Sequence, residues 1–269
     1  MYDCKYSDVD ELELLSSLKF GVYNNAHKFK ESNYWKYVSK NIDTMKENLW
    51  NQLPQGDINY PSSIYRYVLC AIGIGSFEGM YSSNSPSIYQ LSAIIALHNH
   101  FQFESIYICD PAFTFLDCEL ISEIFANEKV HVEVFSGSDI SIPLNKISQF
   151  SISYKLPGNF STRVFLFMPH CDRCVFGMVF YYFLYGDGLN GNISIDQIML
   201  WGNNLFSFLV DTQRSSNTNC EFCNVLKLVL NKIDIINYSN IPDHFENFNY
   251  AFHDLGIFGF LNFKDNFFK

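Results

Sequence analysis

The chain shows two different patterns of apolar positions, and the first lies in its opening sixty residues. That region is mostly polar, but between 31 and 51 apolar residues recur at three- and four-residue steps, which predicts one buried face of a helix. They are Trp35, Val38, Ile42, Met45 and Leu49. The segment Leu53-Pro54-Gln55-Gly56 then predicts the end of that helix. We therefore expect residues 1–60 to form a helical arm that packs on the rest of the chain.

From about residue 65, short apolar runs alternate with amphipathic stretches. The runs predict strands at 66–72, 105–109, 130–135, 163–168 and 197–201, and the stretches predict helices at 83–101, 118–127, 175–185 and 221–231. Ser85 is the predicted N-cap of the first of these helices, and Pro86 its first residue. Residues 136–161 are rich in Ser, Pro, Gly and Asn and predict a long loop. Segments 233–238 and 250–260 are expected to close the sheet as strands.

The alternation of strands and helices predicts a fold class. Such alternation indicates βαβ units and a mainly parallel sheet. Continuously apolar strands are typical of a sheet that helices cover on both faces. The sequence therefore predicts an α/β protein, with a Rossmann-like, mainly parallel sheet covered by helices over residues 62–262 and a helical N-terminal arm over residues 1–60.

Composition narrows the classes of partner. The 269 residues contain 18 Lys and Arg against 28 Asp and Glu, a formal net charge of -10. Binding to nucleic acid or to an anionic membrane is disfavoured, because it needs clustered cations that release counterions. The apolar run Val175–Tyr185 is too short to span a bilayer. No export signal is evident, so we expect a protein of the cytoplasm or the nucleus whose eight cysteines are reduced thiols.

The predicted strand ends carry the candidate chemistry, since ligands of open parallel sheets bind beyond the carboxyl ends of the strands. Those ends read Gly73-Ile74-Gly75-Ser76-Phe77, Cys109-Asp110-Pro111, Met168-Pro169-His170-Cys171 and Trp201-Gly202-Asn203-Asn204. Gly73, Gly75 and Ser76 would let the backbone approach a phosphate or carboxylate. Asp110 would hold ribose hydroxyls, so S-adenosylmethionine and nucleotides are the candidate cofactors. Glu78 replaces the third glycine of the dinucleotide motif, and a tight turn without a ligand is the alternative.

The candidate catalytic residues are His170, Cys171 and Asn203. A cysteine beside a histidine at a helix N-terminus can have a lowered pKa and act as a thiolate. The alternative is a turn residue followed by a buried thiol. In a transferase, His170 or Asn203 would face the substrate.

Neither a metal site nor a haem site is expected from the cysteines and their neighbours. Cys171-x-x-Cys174 and Cys220-x-x-Cys223 have the form of the two halves of a four-thiolate zinc site. Residues 175 to 219 between them are far more than the usual ~15–20, and they contain a whole predicted helix and strand. Cys223 is expected to face the core instead. Axial haem ligation by His170 and Cys171 would need a pocket that the sequence does not reveal.

The strand-end motifs resemble those of the SRR-like domain family, which takes its name from plants with sensitivity to red light reduced. The resemblance lies in the following segments: Gly73-Ile74-Gly75-Ser76-Phe77, Tyr89-Gln90-Leu91, Asp110-Pro111-Ala112-Phe113, Met168-Pro169-His170-Cys171 and, more weakly, Gly202-Asn203. Phe252-His253-Asp254 and Phe260 match a late motif, in which Phe258 stands where the family has His. The four strand-end motifs occur in the family's order, and the resemblance covers about 65–260.

The resemblance implies a regulatory protein. Members of the family are linked to circadian-clock input and phytochrome signalling, to regulation of haem biosynthesis and to microtubule-related stability. A protein partner is then expected, with a small-molecule pocket at the strand ends as a further expectation. The alternative is a cofactor-dependent transferase of methyltransferase-like build, in which Gly73 and Gly75 would cradle the cofactor and Asp110 would hold its ribose.

Overall fold

The computed structural model describes residues 8–50, 65–77, 85–153, 161–185, 193–208, 220–238 and 249–263. Within these ranges the strands are β1 Tyr65–Ile72, β2 Ser105–Cys109, β3 His131–Phe135, β4 Ser161–Met168, β5 Ile198–Asn203, β6 Ile233–Tyr238 and β7 Leu255–Phe263. The helices are α1 Asp8–Glu31, α2 Asn33–Trp50, α3 Pro86–Phe101, α4 Phe115–Phe125, α5 Ser141–Ser153, α6 Arg173–Tyr185, α7 Glu221–Lys232 and α8 Asn249–Phe252.

One sheet joins the seven strands in the order β3-β2-β1-β4-β5-β7-β6. The first five strands in that order pair in parallel, and β7 runs antiparallel to both β5 and β6. The order 3-2-1-4-5 is that of nucleotide-binding sheets, in which the chain reverses direction across the sheet between β1 and β4. The predicted Rossmann-like α/β fold is confirmed.

Helices cover both faces of the sheet. Neighbouring residues of β1 enter different cores: Leu69 and Ala71 pack with α1 to α4, whereas Val68 and Cys70 pack with α5 to α7. Alternate strand residues point to opposite faces, so a strand buried on both faces must be apolar at every position. This explains the continuous apolar runs that predicted the strands.

The N-terminal arm is helical, as predicted, and it forms part of the first covering layer. The apolar stripe of α2 is buried. A Cβ on Gly259 of β7 would collide with the side chains of Leu49 and Met45, so this glycine lets α2 lie directly on the sheet. The arm therefore shares one core with α3 and the strands. The predicted stop at 53–56 and the boundary at 60–62 lie outside the described residues.

Local signals placed the start of α3 correctly. The Ser85 side chain accepts a hydrogen bond from the backbone N–H of Ile88 at 3.3 Å, and Pro86 begins α3, as predicted. The long loop predicted for 136–161 is wrong over Ser141–Ser153, which forms α5. Ile140, Leu144 and Ile147 recur at helical spacing and are buried under the sheet. That sparse apolar stripe, not the polar composition around it, decides the structure.

None of the described helices is both long enough and apolar enough to cross a bilayer.

Candidate functional site

The turn after β1 is shaped by two glycines in the left-handed region, Gly73 at φ 75° and Gly75 at φ 74°. Other residues rarely adopt that conformation. A Cβ on Gly73 would also lie 2.6 Å from the Cys171 sulfur, and one on Gly75 would lie 2.8 Å from the Ser87 hydroxyl. The turn therefore brings the ends of β1 and β4 and the start of α3 into direct contact.

Asp110 fastens this turn to the end of β2. Its Oδ2 accepts a hydrogen bond from the Gly75 N–H at 2.7 Å, and its Oδ1 accepts one from the Ala112 N–H at 2.8 Å. The side chain is buried. The predicted cofactor residues Gly75 and Asp110 thus lie together, and each uses its polar group on the other. This pairing stabilises the glycine turn.

Ser76 is held by a residue that the sequence reasoning missed, Asp117. The Oδ2 of Asp117 accepts from the Ser76 hydroxyl at 2.7 Å and from the Thr114 N–H at 2.8 Å, while its Oδ1 accepts from the Phe77 N–H at 2.8 Å. Asp117 is only 1% exposed. Its signal in the sequence is the capping box Thr114-x-x-Asp117 at the start of α4. The same carboxylate therefore caps α4 and anchors the β1 turn.

Cys171 lies behind the glycine turn. Its sulfur donates to the Ile72 carbonyl at 3.2 Å and is almost fully enclosed. Burial raises the pKa of Cys171 far above its ordinary value, and the negative charge of Asp110 raises it further. These surroundings favour the neutral thiol and a packing role for it.

His170 occupies the left-handed region, at φ 55°, and projects from the end of β4. Its Nε2 lies 2.9 Å from the Ala251 carbonyl, and its ring stacks on His253 with 4.6 Å between the centroids. A carbonyl can only accept, so Nε2 carries the proton and Nδ1 of the neutral ring is an acceptor. Desolvation of the ring lowers the pKa of His170, although the bond to Ala251 acts in the opposite direction.

Asn203 ends β5 beside a cleft of about 340 Å³. The cleft is lined by His170, Cys171, Asp172, Arg173, Cys174, Asn203 and Phe208. Among the described residues, the buried Oδ1 of Asn203 and the buried Nη1 of Arg173 have no hydrogen-bond partner. Buried polar atoms are rarely left without a partner, and both residues line the cleft, so its wall carries an acceptor and a donor that a small shift of either side chain would present to a molecule there.

The structure thus divides the predicted site into two parts. His170, Cys171 and Asn203 line one cleft, whereas Gly73, Gly75, Ser76 and Asp110 form a neighbouring turn that is closed by its own hydrogen bonds. Cys171 joins the parts, because its thiol contacts the β1 turn from the edge of the cleft.

Three cysteines meet beside the cleft. The Cys174 sulfur lies 3.0 Å from that of Cys220 and 3.2 Å from that of Cys223, and all three sulfurs lie within 4.8 Å of one another. Cys171 is not a member of this group, and Cys223 is buried as predicted. The pKa of Cys220 is lowered, chiefly because the Cys174 thiol donates to it, and that bond raises the pKa of Cys174 to about 12.

Comparison with known proteins gives a family. No curated protein matches this chain. The solved structure of the plantazolicin methyltransferase BpumL in complex with SAH is similar over 94% of this chain and 99% of that one. The identity is 9% and the TM-score 0.29, a likeness too low to carry an argument. Residues 59–258 match the model of the SRR1 domain, and the chain therefore belongs to the SRR1-domain family.

Proposed function

We propose that this protein is a regulator of the SRR1-domain type that binds a small polar ligand in the cleft at the ends of β4 and β5. The observation that carries the proposal is that two of the buried atoms without a partner among the described residues, Asn203 Oδ1 and Arg173 Nη1, belong to residues that line this cleft. An anionic group would satisfy the guanidinium, and a hydroxyl or N–H donor would satisfy the carboxamide oxygen. A ligand with both features fits this cleft.

The regulatory part of the proposal rests on contacts with a protein partner. Leu12 and Phe20 are eight residues apart on α1 and are 68% and 74% exposed. At that spacing they lie on one side of the helix, which gives α1 two exposed apolar side chains outside the core. Light and clock signalling or control of haem biosynthesis, in the cytoplasm or the nucleus, are the pathways that we propose from the family.

The ligand proposal is tested by calorimetric titration of the full chain with S-adenosylmethionine, NAD, nucleotides and haemin. We expect an anionic member of this panel to bind. Arg173→Gln and Asn203→Leu should each weaken binding by roughly 10-fold or more, since each removes a hydrogen bond that involves a buried group. Asn99→Ala, on the exposed end of α3, is the control. The proposal fails if nothing binds, or if both cleft variants bind as tightly as the wild-type chain.

The protein-contact proposal has its own test. Tagged wild-type and Phe20→Ser chains are compared for the proteins that they retain from an extract of the source organism. We expect Phe20→Ser to lose a specific partner that the control variant Tyr185→Ser, on α6, still retains. Equal retention by all three chains would remove α1 from the proposal.

A cofactor-dependent transferase is the second candidate, and the strand order favours it. The glycine turn lies where the chain reverses between β1 and β4, the place where parallel sheets bind nucleotides and related cofactors. Cofactor binding there would require the bond between Asp110 and the Gly75 N–H to open. S-adenosylmethionine or nucleotide binding that Asp110→Ala abolishes would favour the transferase. If neither binds, or if Asp110→Ala leaves binding unchanged, this candidate is dropped.

A further inference from the structure

The thiols of Cys174, Cys220 and Cys223 form a compact group outside the glycine turn. Cys174 lies in the first turn of α6, Cys220 is the N-cap of α7, and Cys223 lies in the first turn of α7. With sulfur separations of 3.0 and 3.2 Å around Cys174, one ion could contact all three atoms.

The fold brings these cysteines together although they are far apart in the sequence. The strands β4 and β5 are adjacent and parallel, so the helices that follow them lie side by side on the same face of the sheet. Both helices start at the carboxyl ends of the strands. Two separate stretches of chain therefore place their first turns next to each other.

Gly177 allows the final approach. It lies one turn after Cys174, and a Cβ at this position would collide with the backbone carbonyl of Phe222. Phe222 stands between Cys220 and Cys223. Because Gly177 has no side chain, the backbone that carries Cys220 and Cys223 packs directly against α6, which carries Cys174.

The helix N-termini around the group favour negative charge on sulfur, although the hydrogen bond to Cys220 holds the proton on Cys174 until a metal displaces it. All three sulfurs lie at helix N-termini, where the backbone dipoles favour negative charge, and such positions stabilise thiolates in general. Thiolate sulfur selects soft cations, Zn²⁺ among them, over Mg²⁺ or Ca²⁺.

We propose that Cys174, Cys220 and Cys223 bind one Zn²⁺ ion as a three-thiolate site. With Zn–S bonds of about 2.3 Å, tetrahedral sulfurs lie about 3.8 Å apart, so the Cys174 sulfur needs to move away from each of the other two by less than ~1 Å. Cys174 also lines the cleft. The fourth position therefore opens on the cleft, where water completes the tetrahedron. Binding displaces the thiol protons into solvent. The inference does not depend on the small-ligand proposal, since the cysteines supply the ligands.

The test uses full-length protein that is reduced and freed of metal with a chelator. Titration with Co²⁺ should give the thiolate-to-cobalt charge-transfer band and the intense visible bands of tetrahedral cobalt, at one ion per chain, and Zn²⁺ should then abolish both. Cys220→Ser should weaken Zn²⁺ binding by more than ~100-fold, beyond the usual effect of a residue that only supports a ligand. Serine is itself a good N-cap, so this variant keeps the start of α7.

Cys118→Ser, which removes a partly buried thiol on α4, is the matched control and should bind Co²⁺ like the wild-type chain. Circular dichroism shows whether each variant is folded. Three results would overturn the proposal: a reduced wild-type chain without tetrahedral cobalt bands, a folded Cys220→Ser chain with unchanged affinity, or weakening by Cys118→Ser equal to that by Cys220→Ser. Recovery of a disulfide between Cys174 and Cys220 or Cys223, from protein that takes up no metal when reduced, would assign the group to redox chemistry instead.

Discussion

At the scale of the single residue, Gly177 sets how closely α6 and α7 approach. Alanine is the better helix former by roughly 1 kcal/mol, but here its Cβ would collide with the backbone of Phe222. We expect Gly177→Ala to lower the free energy of unfolding by about 1–3 kcal/mol, as for other overpacked sites. Urea denaturation measures the change. Gly137→Ala is the control, because nothing lies within 4 Å of a Cβ there; similar losses in both variants would contradict this account.

His98 gives a pH prediction at the same scale. Its ring is buried between Phe103 and Phe125, and desolvation lowers its pKa, which Glu128 partly opposes. As the pH falls below the ordinary histidine pKa of about 6.5, the unfolded chain takes up the proton first. Neutral His98 therefore makes its full contribution to the free energy of unfolding above that pH. The contribution decreases as the pH falls toward the pKa that His98 has in the folded chain.

The measurement is urea unfolding at pH about 7.5 and about 5.5, on either side of the ordinary histidine pKa. The wild-type chain should lose stability at the lower pH, and His98→Asn should lose less. His27→Asn, which changes an exposed histidine of α1, should match the wild-type chain. An unchanged pH dependence in His98→Asn would show that His98 does not carry the effect.

Residue types predicted the location of the site better than they predicted the role of each side chain. The glycines after β1 and the polar residues after β2, β4 and β5 were placed at one edge of the sheet, because parallel strands share an edge. The bond from Gly75 to Asp110 could not be predicted, since it depends on the left-handed turn as well as on the register of two strands. Asp117 was missed because its second role, holding Ser76, joins loops that are far apart in the sequence.

At the scale of the element, the N-terminal cap of α4 stabilises more of the structure than the cap of α3. Asp117→Ala would leave the Phe77 N–H and the Ser76 hydroxyl without their carboxylate, and each such hydrogen bond lost by a buried donor costs about 1–3 kcal/mol. Ser85→Ala removes one N-cap bond and should cost only ~1 kcal/mol. Chemical denaturation of both variants measures the difference. Equal losses would mean that Asp117 acts as a helix cap alone.

Element boundaries followed from the sequence where a start signal was recognised. Ser85 and Pro86 marked the start of α3, whereas the polar composition around α5 hid its short apolar stripe. The meeting of Cys174 with Cys220 and Cys223 was not expected for a different reason, the length of the sequence between the two Cys-x-x-Cys pairs. Sequence distance measures the length of the intervening βα unit, but the separation of two helix starts depends on the order of strands in the sheet.

At the scale of the whole molecule, the N-terminal helices complete the sheet's cover and are not an appendage. Met45 of α2 is fully buried in the core that contains β1, β4 and β5. Met45→Asp places an unpaired carboxylate there, and the cost of removing such a charge from water exceeds that of most substitutions. Because native proteins are stable by only ~5–15 kcal/mol, we expect this one change in the arm to destabilise the entire α/β fold, with loss of the cooperative thermal transition.

Leu12→Asp is the matched control for that experiment. It makes the same kind of exchange on α1, but Leu12 is 68% exposed, so the new carboxylate stays in water and the melting temperature should change little. If Met45→Asp keeps a cooperative transition close to that of Leu12→Asp, the arm is energetically separate from the sheet. A transition that is lost in Met45→Asp and kept in Leu12→Asp would show that the cleft and the thiol group depend for their stability on residues more than a hundred positions away in the sequence, since both rest on the same sheet.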